Sequence, residues 1–428
     1  LTCVDEYVDV FYSIIHEIIE LFVTVKTFRA SDWPKWMSKE TKTLIRNKKA
    51  AHKIYKQTNV DEDYRHFSEL RKGCKNSIGP DRQKYIEFIE QGIINDSKAF
   101  WQCVMENKTS GQNVPNNMHY NDKNASSPDE IVTLFGQHFQ SVYKNSVKEY
   151  SLVVDSRACT QIDLSSISVS AEEISNKIKT LKINGSAGPD AIPALFVKRC
   201  ADTLALPLFI IFNKPLKTAL FPKLWKRSYI VPLHKTGPKS DVQNYRSISI
   251  LSTIPKLFES IVCDKLSQVL RNIIIPEQHG FYKGRSTCTN LYTFTDFVVK
   301  TMEKGYEVDT IFMDMSKAFD TVDCNILIYK LRRFGLQENI LSWLNSYLRE
   351  HTQVVKVNGH YSSPIIVTSG VPQGSHLGPV LFSTFVNDIK NVASSSLLLL
   401  YADDLKLYRR IENMSDCVLL QNDLGGLV

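Results

Sequence analysis

The sequence predicts a mixed α/β (α+β) protein, in which a basic, helix-rich N-terminal region precedes a longer stretch of alternating helices and strands. Two patterns lead there. Residues 1–105 are mostly helix-patterned, whereas after Ser165 short strand-like runs alternate with helical ones. Two of those later apolar runs close on aspartates. Composition agrees: 428 residues, 43% hydrophobic and 23% charged, suffice for two or three folding units and exclude wholesale disorder.

Val8–Val25 is the first element. Asp9, His16, Glu17 and Glu20 break its apolar run, while Phe11, Ile14, Ile15, Ile18 and Phe22 at helical spacing make it an amphipathic helix. No stretch reaches the ~18 uninterrupted apolar residues of a spanning helix. The first residues show no basic n-region or small-residue cleavage site, so export is not expected. The 9 cysteines form no C-x-x-C pair and no zinc-spaced cluster with histidine, and read as reduced cytosolic or nuclear thiols. A chain that opens on Leu1 and stops at Val428 reads as a piece of something longer.

Charge is concentrated early. The whole chain nets +7, yet Lys35–Lys84 alone holds 14 Lys and Arg against 6 Asp and Glu. Lys39, Lys42, Arg46, Lys49, Lys53 and Lys56 recur at steps of three and four, which keeps all six on one helix face. Such a stripe is either a solvated face or a seat for a polyanion, which would relieve the repulsion among six like charges. Trp33, Trp36 and Tyr55 nearby are either core residues or platforms for bases. The polar run Asn107–Asn117 reads as a loop or linker. Ser127-Pro128-Asp129-Glu130 then starts a helix, with Ser127 as its cap. Strands are expected at Ser228–Leu233, Ser247–Leu251, Val308–Met313, Gln353–Val357, Ile365–Thr368 and Leu397–Tyr401.

The candidate chemistry lies in the carboxylates. One apolar run ends Ile311-Phe312-Met313-Asp314, and five residues on comes Phe319-Asp320. The other ends Leu400-Tyr401-Ala402-Asp403-Asp404 and is followed by a second hydrophobic run, which suits a β-hairpin turn. Carboxylates crowded at strand ends call for a cation, and Mg²⁺ takes a few carboxylates together with substrate phosphates. Taken singly, Asp320, Asp323 and Asp404 are ordinary turn or capping acids. Between the two sites runs the Gly/Pro-rich loop Ser369–Pro379, with Pro372-Gln373-Gly374 at its centre, ahead of an apolar helix. Upstream, Tyr229–Lys235 and Asn244–Ser249 flank Thr236-Gly237-Pro238 and read as a hairpin. It presents Lys235 and Arg246, two cations suited to a triphosphate.

In this order the motifs resemble the reverse transcriptase of non-LTR (LINE-type, jockey-like) retrotransposons. The resemblance covers roughly Ser165 to Val428, with Gly188-Pro189-Asp190-Ala191-Ile192-Pro193 and Gln278-His279-Gly280-Phe281-Tyr282-Lys283-Gly284-Arg285-Ser286-Thr287 as further matching motifs. It implies a right-hand polymerase core: fingers over 151–305 and palm over 306–428, with the thumb missing. Residues 1–150 resemble the helical linker that joins endonuclease and polymerase. It also implies that Asp314 and Asp403 bind two Mg²⁺ (Mn²⁺ as a substitute) with Asp404 beside them. Phe319 would screen sugars, Gln373 and Gly374 would meet the incoming nucleotide and template, and Lys235 and Arg246 would hold the triphosphate. The implied partners are template RNA, a DNA primer and deoxynucleoside triphosphates, in a cytoplasmic and nuclear ribonucleoprotein. Ser247, Tyr282 and His376 depart from the family pattern, where proline, a basic residue and an aliphatic residue are usual. Rival readings are a maturase-type reverse transcriptase, an RNA-dependent RNA polymerase, which Phe319 disfavours, and a non-catalytic RNA-binding remnant.

Overall fold

The structure, a computed structural model, describes residues 3–24, 33–92, 100–101, 104, 114–144, 167–183 and 185–427. The chain divides into two compact units, Glu20–Asn113 and Leu1–Ile19 with Val114–Val428. This division falls elsewhere than the expected boundary at residue 150, which itself lies outside the described residues. The first helix, α1 (Val4–Phe22), buries Val8, Phe11, Tyr12 and Ile15 in the main core of the larger unit. Residues from Val114 onward supply that unit's second core. Apolar packing, which composition along the chain does not display, draws the division. The polar run Asn107–Asn117 lies outside the described residues up to Asn113, and Val114 is buried.

In the smaller unit, α2 (Lys39–Thr58) and α3 (Asp61–Gly92) form a helical hairpin. Ser38 caps α2 by accepting the Thr41 N–H, and Asn59, at φ 51°, ends it in the left-handed region. That single αL residue releases the chain into α3.

The larger unit opens with a small hairpin, β1 (Met118–Tyr120) and β2 (Lys123–Ala125). Next comes α4 (Pro128–Val142), started by a capping box between Ser127 and Glu130. Helices α5 (Ala171–Lys179), α6 (Ala194–Arg199) and α7 (Ala201–Thr218) lead to β3 (Arg227–His234) and β4 (Tyr245–Leu251). After α8 (Thr253–Leu270) and α9 (Thr287–Met302) the chain enters β5 (Glu307–Asp314). Then follow α10 (Cys324–Arg333), α11 (Glu338–Leu348), β6 (His351–Val357), β7 (His360–Tyr361) and β8 (Ile365–Val367). The chain closes with α12 (Leu377–Phe385), β9 (Leu397–Tyr401), β10 (Asp404–Ile411) and α13 (Met414–Leu427).

Two sheets carry the site. One has the order β4-β3-β6-β7, with β8 also on β6; the other is antiparallel, β5-β10-β9. Around Trp225, Phe258, Trp343 and Phe382 the main aromatic core packs helices together, while Leu398, Leu400, Leu405 and Leu407 pack the inner face of β9–β10. Phe135 of α4 meets Tyr245 of β4 edge-on, at 5.1 Å between ring centres, and this joins the second core to the first sheet. The six expected strands all form, at bounds within a residue or two of the expected ones.

Candidate active site

Two strand ends and one tight turn bring three aspartates together. Asp314 is the last residue of β5, and Asp404, the first of β10, stands opposite it in the antiparallel register. Tyr401 pairs with Asp404, so Ala402 and Asp403 are the two central residues of the β9–β10 turn. Ala402 adopts φ +58°, the positive angle that a two-residue hairpin asks of its first central residue. Burial raises the Asp403 carboxyl above its ordinary value, the charges of Asp404 and Asp314 push the same way, and Arg246 opposes them. The Asp403 carboxylate thus feels both neighbours across the turn.

A cleft of about 830 Å³ opens onto these aspartates. Lys235, just past β3, and Arg246 of β4 line it, as do Phe319, Gln373 and Gly374. The larger unit therefore brings together every site residue expected from the later motifs. Lys235 is fixed through its backbone N–H on the Asn244 carbonyl at 2.8 Å. Phe319 stacks on Phe382 at 4.5 Å and meets Phe281 edge-on at 6.0 Å, which sets the ring's plane. Gly374 has φ +88°, and a Cβ there would stand 2.9 Å from the Ser249 carbonyl oxygen, so the loop approaches β4 as only glycine can.

By sequence alone Asp320 is a turn acid. In the structure its two carboxylate oxygens both accept from Gln373 Nε2, each at 2.8 Å, and fix that side chain at the cleft. Burial lifts the Asp320 carboxyl to about 6, against the Gln373 hydrogen bond and the Lys317 charge. His138 and Tyr143, from α4 and the residue after it, also line the cleft. Burial pushes the His138 imidazole down to about 4. The signal that could have found them is the apolar face of α4, which marks that helix as part of the core.

The six cations of the stripe lie elsewhere, on α2 of the smaller unit: Lys39, Arg46, Lys49, Lys53 and Lys56 are exposed and Lys42 half-buried. Lys49 Nζ sits over the Trp33 ring at 5.7 Å, and Tyr55 packs on Tyr64 of α3. Of the departures from the family pattern, Ser247 lines the cleft. Tyr282 buries its hydroxyl with no partner and lies under Arg285. His376 is exposed at the start of α12, outside the cleft lining, with its backbone N–H on Glu259.

Among the described residues no group of three His, Cys, Asp or Glu side chains is arranged to enclose a metal ion. Mg²⁺ does not require such a cage, since one or two carboxylates and substrate phosphates suffice. Oxygen-only donors, with Asp403 pushed up by burial and by the charges of Asp404 and Asp314, fit a hard divalent cation at Asp314 and Asp403.

Residues 235–422 match the reverse transcriptase (RNA-dependent DNA polymerase) family. The probable RNA-directed DNA polymerase from transposon BS of Drosophila melanogaster is 28% identical over 87% of this chain and 43% of its own length. The RNA-directed DNA polymerase from mobile element jockey of the same fly is 34% identical over 57% of the chain and 28% of its own length. That of Drosophila funebris is 26% identical over 89% and 43%. The chain spans less than half the length of these relatives. The aspartate pair, the Pro-Gln-Gly loop, Lys235 and Arg246, gathered at one cleft, all lie within the segment that matches the reverse transcriptase family.

Proposed function

We propose that this chain is the fingers–palm part of an RNA-directed DNA polymerase that copies retrotransposon RNA into DNA by two-metal nucleotidyl transfer. One observation carries the proposal: the register that sets Asp404 opposite Asp314, with Asp403 at the adjoining turn, opens into the same cleft as Lys235, Arg246 and Gln373. In this reading the β5-β10-β9 sheet is the palm and the β3–β4 hairpin belongs to the fingers. Lys235 and Arg246 hold the triphosphate as charge-assisted donors. Gln373, fixed by Asp320, orients the nucleotide against its template. Asp314 and Asp403 would hold Mg²⁺, which would lower the pKa of the primer 3′-hydroxyl and neutralise charge on the departing pyrophosphate. The partners are template RNA, a DNA primer and deoxynucleoside triphosphates. The sequence similarity to polymerases of mobile elements supports the same reading.

The test is primer extension on an RNA template. Asp403→Ala and Asp314→Ala abolish extension, a loss of at least about 10³-fold, because each removes an electrostatic contributor to the transition state. Both variants bind RNA within about twofold of the parent, since phosphate contacts lie on other residues. Near-parental extension by either variant would overturn the assignment.

A further inference from the structure

Apart from Phe281, the motif Gln278–Thr287 has no role in the chemistry just described, although its first three residues, Gln278–Gly280, are buried. The Gln278 side chain is 1% exposed. Its Oε1 accepts the Ala402 N–H at 3.0 Å and the Gly280 N–H at 2.8 Å, while its Nε2 donates to the Ala402 carbonyl at 3.2 Å. One amide therefore satisfies both backbone groups of Ala402, the strained residue that precedes Asp403 in the turn. The backbone beside it continues the β5-β10-β9 sheet. Leu400 N–H donates to Glu277 O at 3.0 Å and His279 N–H to Leu400 O at 2.9 Å, a parallel bridge on the outer edge of β9. Arg285 Nη1 holds the segment from behind through the Gln278 and Ile275 carbonyls. A Cβ at Gly280 would stand 2.4 Å from the Ala402 nitrogen, so the segment lies against the turn with no room for a side chain.

We infer that Gln278 is a positioning residue: it clamps the Ala402–Asp403 turn and so fixes where the Asp403 carboxylate stands relative to Asp314. Three circumstances require such a clamp. Non-glycine residues at positive φ are strained and persist only where the surroundings hold them. The Ala402 N–H and C=O face away from the hairpin's own ladder and, buried, need partners. A metal-binding carboxylate that drifts by about 1 Å costs on the order of 10²-fold in rate. Gln278 answers all three with one neutral side chain, which adds no charge beside three carboxylates.

This inference rests on the polymerase reading for its catalytic consequence, and the experiment separates the two. Amide hydrogen exchange of the unsubstituted chain comes first. The Ala402 amide, in an exposed-looking two-residue turn, is expected to exchange as slowly as the Leu400 amide; exchange as fast as in a free turn overturns the clamp whether or not the chain polymerises. Gln278→Leu keeps the volume and removes all three hydrogen bonds. It is expected to speed exchange at Ala402 by about tenfold or more per hydrogen bond lost. In single-nucleotide addition it lowers kcat by about 10²-fold and leaves the nucleotide KM and RNA binding within about threefold. Gln278→Glu keeps the oxygen that accepts the Ala402 and Gly280 N–H groups, and recovers at least about tenfold of that loss when its carboxyl is protonated. Gly280→Ala, should Gln278→Leu fail to fold, perturbs the same turn from the neighbouring position and is expected to lose kcat likewise. Parental kcat in Gln278→Leu, or equal losses in kcat, RNA binding and melting temperature, would reduce Gln278 to a packing residue. If the parent extends no primer at all, the polymerase reading fails and the exchange data alone decide the clamp.

Discussion

At the scale of single residues the site works by fixing side chains that could otherwise rotate freely. Phe319 is held between Phe382 and Phe281, so its ring presents a fixed edge or face to whatever enters the cleft. A phenyl ring gives a ribose 2′-hydroxyl neither space nor an acceptor, and a buried hydroxyl without a partner is costly. Phe319→Ala is expected to raise the ribonucleotide to deoxyribonucleotide kcat/KM ratio by at least about tenfold, the low end of what one methylene is worth in a hydrophobic pocket. An unmoved ratio in competitive incorporation would make Phe319 a core residue only. Asp320 holds Gln373 at a cost, because its carboxyl is lifted to about 6 by burial. The native state therefore binds that proton more tightly than the unfolded chain does, so this group's contribution to stability falls as pH rises from about 4 to about 6. Asp320→Asn removes the dependence. It is expected to be more stable than the parent at pH 7 by something of order 2–3 kcal/mol, since stability falls by about 1.4 kcal/mol for each pH unit across that window, with the gap closing by pH 4. Melting curves of both proteins across that range check it. A constant gap would mean that Asp320 titrates normally.

At the scale of elements the sequence is most legible where one strand buries one face. Leu397–Tyr401 and Val308–Met313 announce themselves as apolar runs that stop at an aspartate, and both form as strands. The register was open until the structure fixed it: Asp404 opposite Asp314 is decided by eight successive pairs along β5 and β10, down to Ile411 opposite Glu307. The β1–β2 hairpin was illegible, since its strands are three residues each and its place is set by His119, whose N–H reaches Ser240 in the β3–β4 connection. The clamp on Ala402 was illegible for a related reason: Gln278 and Ala402 are 124 positions apart, and no local pattern in either segment names the other. Helix α4, expected from its Ser127 cap, shows how an element read correctly can still bring unexpected residues to the site. It buries Ile131, Val132, Leu134, Phe135 and Phe139 against the β4-β3-β6-β7 sheet, chiefly at β6, and thereby delivers His138 and the following Tyr143 to the cleft. Phe135, fully buried between Phe139 and Tyr245, is its anchor. Phe135→Ala is expected to cost about 3–5 kcal/mol of stability in denaturant unfolding, the range for a truncated core aromatic. A loss below about 1 kcal/mol would mean that α4 packs loosely on the sheet.

On the scale of the whole molecule, charge and chemistry are assigned to different units. The chain nets +7, and the segment Lys35–Lys84 holds 14 cationic against 6 anionic side chains, all within the smaller unit. The larger unit keeps Asp314, Asp403 and Asp404 with Lys235 and Arg246 around one cleft. A polymerase that must hold a long template without reading its sequence gains from such a division, because phosphate neutralisation supplies affinity that does not depend on the bases. On α2 five of the six stripe residues are exposed, and Tyr55 is turned to α3, which favours the core reading for that ring over a stacking platform. Affinity on this face should then be mostly electrostatic. Replacing Lys39, Lys42, Arg46, Lys49, Lys53 and Lys56 by Gln is expected to weaken RNA binding at low salt and to flatten the log–log salt slope by up to about 4–5. Each phosphate neutralised contributes about 0.7–0.9, so the measured change counts how many of the six engage. Because none of the six lines the cleft, kcat for nucleotide addition at saturating template is expected to stay within about twofold. A salt titration by fluorescence anisotropy, run beside single-nucleotide kinetics, reads both quantities. An unchanged slope would make the stripe a solvated helix face, and a fall in kcat at saturating template would mean that the two units share the chemistry.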